Sequence, residues 1–271
     1  LFLGGRVYPD SIAWVLSYVL GTYSVTGSSD PYTHTNKKLV IPDYTLDSFS
    51  LMRYYDASTN LFFKYKGCQM NSFSIGGAYD GANAALNWNA TALTDGTRTE
   101  VTSGYTQPSC VEENCYRTGD ITITLSNYGG SAISSLDFQS VSFNISNNLE
   151  TDPRRSGTAV AQAREIGERS FTASLSVIGT PSDTIDDLWQ AASESYLALT
   201  ISCANPTSNR VLSFTAPKMA IANLGVGFSR SNRKHTHELT FNCLLDNTSG
   251  TTIANSPWYA TIQTATATYR A

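Results

Sequence analysis

The residues with most chemistry to offer are three histidines and five cysteines. His235 and His237 are two apart, which puts both on one face of a strand, with Glu238 beside them. A His-x-His pair can begin a metal site, but the sequence marks no third ligand to complete one. The plainer reading is a pair of surface histidines next to Arg233 and Lys234, while His34 stands alone. Cys110 and Cys115 enclose Glu112 and Glu113 and have the spacing of half a metal site. Structural zinc usually takes two such pairs, and Cys68, Cys203 and Cys243 are isolated. A bridge, a metal and two free loop thiols all stay open for the 110/115 pair. The run GGAYDG at 76–81 reads as turn chemistry; it lacks the lysine ending of a phosphate loop. There is no G-x-S-x-G elbow and no H-E-x-x-H motif. Asp186 and Asp187 fall where a helix N-terminus favours acid. No nucleophile, base and orienting group come together, so neither catalysis nor a cofactor nor a bound metal is expected.

Composition bounds the rest. The chain has 271 residues, enough for one large all-β domain or two small ones. Charged residues are 15%, below the roughly 25% of an average soluble domain. Either Ser, Thr and Asn cover the surface, or much of it meets protein. The net charge of −4 argues against tight binding to nucleic-acid phosphates. An odd, scattered set of cysteines is no secreted disulfide framework and points to a reducing compartment. The opening LFLGGRVYPD reads like the middle of something, so residues upstream are expected. Ile12 to Leu20 is too short to span a membrane and lacks the flanks of a signal peptide. It reads as a short buried helix stopped by Gly21.

Strand signals dominate from Leu39 onward. Period-two alternation marks 45–55, 62–75, 86–93, 121–125, 138–145 and 171–178. Phe138 to Ile145 is the clearest: Phe138, Ser140, Ser142 and Asn144 alternate with Gln139, Val141, Phe143 and Ile145. Further strands are expected at 196–203, 211–222, 237–246 and 259–269. Residues 94–119 lose the pattern and read as a loop insertion. Between 147 and 169 the chain turns polar and charged, with little that could form a core. One main helix is expected over 183–195, where Ile185, Leu188, Trp189 and Ala192 form a one-sided apolar stripe. Trp14 and Trp88 are expected in the core. The order of strands, one helix, then strands predicts a mostly β chain. Its architecture is an antiparallel β-sandwich or barrel flanked by that helix, in a single domain.

Several segments in order resemble the major tail tube proteins of long-tailed phages with non-contractile tails. Lys66 to Ile75 (KGCQMNSFSI) is similar to that family's G-C-K-V-N-S-L-T-L strand. Val141 to Glu150 (VSFNISNNLE) resembles its strand ending in N-N-L-E. A charged loop follows, then Arg169 to Val177 and the helix after Gly179. The 14–21 helix and the 39–55 strand fit as well; 94–119 fits less. The likeness runs from about Arg6 to Asp246. It implies a homohexameric ring, rings stacked into a hollow tube, and DNA ejected through it. The partners it implies are other copies of the chain and other tail proteins, with the tape measure protein and DNA in the lumen and no membrane. The place is the virion tail, assembled in the host cytoplasm. Residues 147–169 then become an arm to a neighbour. Glu150, Asp152, Arg154, Arg155, Arg164, Glu165, Glu168 and Arg169 offer charges of both signs for it. Two other readings stay in view. One is another virion β-sandwich, at the distal tail or decorating the capsid. The other is a carbohydrate-binding module, suggested by 15 tyrosines.

Overall fold

The computed structural model describes residues 1–38, 46–56, 61–79, 84–95, 98–101, 114–130, 132–133, 137–150, 165–179, 196–205, 210–229, 234–245, 256–265 and 267. In chain order the elements are β1 (Phe2–Arg6), α1 (Pro9–Leu20), β2 (Gly21–Thr26), β3 (Tyr32–Lys38), β4 (Phe49–Asp56), β5 (Leu61–Ala78), β6 (Asn87–Leu93) and β7 (Arg98–Val101). A 3-10 turn (Thr118–Asp120) leads into β8 (Ile121–Asn127), β9 (Asp137–Ser146), β10 (Ser170–Gly179), β11 (Leu197–Ala204), β12 (Val211–Ser229), β13 (Lys234–Cys243) and β14 (Tyr259–Thr264). The expected mostly β, antiparallel fold is the one observed, with 14 strands in one sheet.

The helix α1 starts on Pro9, whose fixed φ and missing N–H suit a first helical position. It stops at Gly21, which takes φ 101 and returns its N–H to the Ser17 carbonyl. Ile12, Leu16, Val19 and Leu20 are fully buried, so the expected short buried helix is present. No described helix is long and apolar enough to cross a membrane.

The sheet runs β1-β6-β5-β9-β10-β13-β12-β14-β3-β2. β11 joins β12 and β8, while β4 and β7 flank the first part of β5. Alternation decides the faces. Val141, Phe143 and Ile145 of β9 and Phe171, Ala173, Leu175 and Val177 of β10 are buried. Three strand spacings separate β9 from β12 along the sheet, about 14 Å if it were flat. Yet the rings of Phe143 and Phe214 lie 5.5 Å apart. The sheet therefore folds back, so that its inner face meets itself. Trp258 seals the closure: it is fully buried, 5.5 Å from Phe143, 5.6 Å from Phe214 and 6.2 Å from Phe171. The helix α1 belongs to the same core, and its Trp14 and Tyr18 each sit 5.1 Å from Phe49.

Several details differ from the sequence reading. Strands begin with β1, β2 and β3, well before Leu39. Gly76 and Gly77 lie inside β5 rather than in a turn. A Cβ on Gly76 would come within 2.5 Å of the Val141 carbonyl, and one on Gly77 within 2.5 Å of the Thr118 methyl. These glycines are there because neighbours approach closely, not because the chain reverses. β7 lies within the 94–119 stretch. Trp14 and Trp88 are partly buried against the core. The helix expected over 183–195, with Ile185, Leu188, Trp189 and Ala192, lies outside the described residues.

Candidate assembly surfaces

β9 ends at Ser146, and the next four residues build the root of the charged segment. Asn147 is fully buried. Its Nδ2 donates to the Val19 carbonyl at 3.1 Å and to the Met70 carbonyl at 2.8 Å. Its Oδ1 accepts from Arg169 Nε at 2.7 Å. One amide thus ties α1, β5 and the return strand together. Asn148 takes φ 45, a left-handed conformation that Asn tolerates better than most residues. Its Nδ2 donates to the Glu168 carbonyl, and its own carbonyl accepts from Gly167 N–H at 3.0 Å. A Cβ on Gly167 would sit 2.6 Å from that oxygen, which explains the glycine. Leu149 is buried, bridges to Ile166 and donates its N–H to Asn71 Oδ1 at 2.9 Å. Glu150 N–H reaches the Glu165 carbonyl at 3.2 Å. The backbone therefore leaves the sheet and returns to it as a closed stem.

Arg169 holds the inner end of that stem. Its Nη2 donates to the Val19 carbonyl at 3.0 Å, and its Nη1 to the Leu20 carbonyl at 3.3 Å. These carbonyls close the C-terminus of α1, where a cation satisfies orphan acceptors and the negative end of the helix dipole. The guanidinium also lies 5.1 Å from the Phe171 ring. Burial pulls its pKa down to about 10, which leaves it charged at neutral pH.

The arm residues thus divide. Arg169 has its guanidinium engaged inside the subunit, unlike the expectation that it offers charge to a neighbour. Glu150, Glu165 and Glu168 are exposed around the stem. Asp152, Arg154, Arg155 and Arg164 lie outside the described residues.

A second surface is the outer face of β6, β5, β9, β10 and β13. Registered rows cross it, such as Asn89, Ser74, Asn144 and Thr172. The next rows hold Ser142 with Ser174 and Ser140 with Ser176. Ser72 and Thr91 even bond hydroxyl to hydroxyl at 2.5 Å. Among the described side chains of this face the charged groups are Glu238, opposite Ser176, and Asp137, opposite Ile178.

Among the described residues the metal-type side chains do not converge. No group of three or more His, Cys, Asp or Glu that could hold a metal occurs among the described residues. Cys115 is a free, half-buried thiol, while Cys110, Glu112 and Glu113 lie outside the described residues. His237 is half-buried rather than fully on the surface, and its Nδ1 is buried without a hydrogen-bond partner among the described residues. Of His235 only the backbone is described, paired with Gly179 and Phe228. His34 is fully buried, bonded to Tyr23 Oη at 2.8 Å and Thr264 Oγ1 at 2.7 Å. It joins β2, β3 and β14 as a structural residue. The sequence reading missed that role; the alternation in YTHTN was the available signal.

A folded-back antiparallel sheet with a broad, sparsely charged outer face and a stapled stem at the root of its charged segment is the build of a structural β protein. The chain matches the family described as phage tail tube protein over residues 3–243, and it belongs to that family. No curated protein matches it.

Proposed function

We propose that this protein is the subunit of the tail tube of a long, non-contractile phage tail. Six copies close a ring, rings stack, and the hollow tube carries DNA out of the virion. Other tail proteins cap and receive the tube, and the tape measure protein occupies its lumen before DNA does. The subunit needs no cofactor and performs no catalysis. It assembles in the host cytoplasm and ends in the virion tail. The family match supports the tube, and the hydroxyl- and amide-rich outer face is the observation that carries the conduit. A wall of hydroxyls and amides stays hydrated and, among the described side chains of these five strands, has no cation with which to hold phosphate; Arg6 stands only at its edge, on β1. We assign that face to the lumen.

The charged segment is the arm that reaches the next subunit or ring. Its closed stem fixes where it leaves the sheet, so the arm's reach is set by the residues beyond Glu150. Negative-stain microscopy of purified protein tests the reading: rings with sixfold symmetry and tubes are expected. A chain that stays monomeric at high concentration refutes it. Charge reversal at Arg154 and Arg155 should shorten tubes and leave the subunit's melting unchanged. Tubes of normal length and stability would remove the arm from the assembly.

A further inference from the structure

β1 ends the sheet and pairs only with β6 among the described strands. Its register places Phe2 and Arg6 opposite Thr91 and Asn87, on one face and about 13 Å apart. Phe2 is 92% exposed, far more than any other large hydrophobic residue described. An exposed aromatic beside a sheet edge that no described strand covers invites a partner. Arg6 is also exposed, with no ion-pair partner among the described residues.

The same chain carries an unfilled cleft of about 460 Å³ where β5, β8 and β9 meet. Ile121, Ile123, Phe138, Val141 and Ile178 supply its apolar lining. Asp137 stands in it, exposed and likewise without an ion-pair partner among the described residues. No lysine or arginine is among its described lining residues. An apolar cavity of about 150 Å³ already admits a benzene ring, so a phenyl group and its flanking backbone fit easily. The subunit's own Phe2 is in the wrong place to fill it. The Phe2 row crosses to Ser146, whereas the cleft takes in Ser140, six residues or about 20 Å along β9.

We infer that Phe2 of one copy enters this cleft on a neighbouring copy, with Arg6 pairing to the neighbour's Asp137. The occupant is a second copy because the knob carries the cation and the cleft the carboxylate. A knob and a cleft at different places on one surface make a head-to-tail contact, which closes into a ring or continues as a filament. The inference rests on the self-assembly proposed above and names the contact that drives it.

Sedimentation velocity and negative-stain microscopy of Phe2→Ser, Arg6→Glu, Asp137→Arg and the Arg6→Glu/Asp137→Arg double variant test it. Circular dichroism melts confirm that each subunit stays folded. Each single change should raise the concentration for half-assembly about tenfold or more. The charge-swapped double should return to within about threefold of wild type. Singles that assemble like wild type overturn the contact while leaving the tube intact. A double no better than the worse single also overturns it. Wild-type protein that never assembles refutes the tube itself, and this contact with it.

Discussion

Replacing Asn147 by alanine tests the stem of the arm. The side chain makes three hydrogen bonds to three separate parts of the chain. Their losses are unequal. The Val19 carbonyl keeps Arg169 Nη2 at 3.0 Å, so it is not orphaned. The Met70 carbonyl loses its 2.8 Å donor in a buried setting. Arg169 Nε, a charged donor, loses its 2.7 Å acceptor. An orphaned buried acceptor costs about 1–3 kcal/mol, and a lost bond to a charged group about 1.5–3 kcal/mol. The expected destabilisation is therefore about 3 kcal/mol. At roughly 2–4 °C per kcal/mol for a chain of this size, the midpoint should fall by about 6–12 °C. Urea unfolding of wild type, Asn147→Ala, Arg169→Met and the double variant measures it. The two residues touch, so the cycle should show a coupling of at least about 1 kcal/mol. A loss under about 1 kcal/mol for Asn147→Ala would refute the reasoning. So would additive single effects, because the amide would not be holding the guanidinium.

The core and the thiols give two further tests. Trp258 is fully buried and its Nε1–H has no hydrogen-bond partner among the described residues. Trp258→Ala should cost about 3–5 kcal/mol. Trp258→Phe should stay within about 1 kcal/mol of wild type in urea, because removing an orphaned donor offsets the lost area; equal damage from both would show that the N–H has an acceptor. Burial raises the Cys203 and Cys243 thiols from 9.0 to about 12. Between those values the unfolded chain releases thiol protons and the folded chain keeps them. Stability should then fall with rising pH by about 1.4 kcal/mol per unit per thiol. Urea melts from pH 8.5 to 10.5 should show a shallower fall for Cys243→Ala, and an unchanged slope would refute that burial.

Local alternation was legible in the sequence; contacts from far along the chain were not. The serines of β9 and β10 revealed both strands and both faces, because one side chain in two had to be apolar. α1 announced itself through its apolar run and Gly21. β3 did not, because its inward residues His34 and Asn36 are polar and fully buried, the reverse of the usual pattern. β5 and β12 run longer than read, since Gly76, Gly77 and the glycines near the end of β12 look like turns on sequence alone. The N-N-L-E run stood out as a motif without its reason. Asn147 reaches Val19 and Met70, 128 and 77 residues away, and no local window contains them. Arg169 looked like one more arm charge for the same cause.

The charge balance of a conduit depends on where charge lies more than on its sum. A net −4 is compatible with a face that grips nucleic acid, if its cations gather there. Here the described outward side chains of five strands are mostly hydroxyls, amides or glycine, so DNA passing the face, if it lines the lumen as proposed, would meet mainly hydrated dipoles. Any cation placed on that face would recur in every copy of a tube. Binding through repeated contacts multiplies, and even a weak phosphate contact per subunit would become strong retention. The alternation that buries Phe143 and Leu175 is what sets Ser142, Ser174 and Ser176 outward. A slip of one residue in register would exchange the two faces. With that face assigned to the lumen, as proposed above, one pattern would specify both core and conduit.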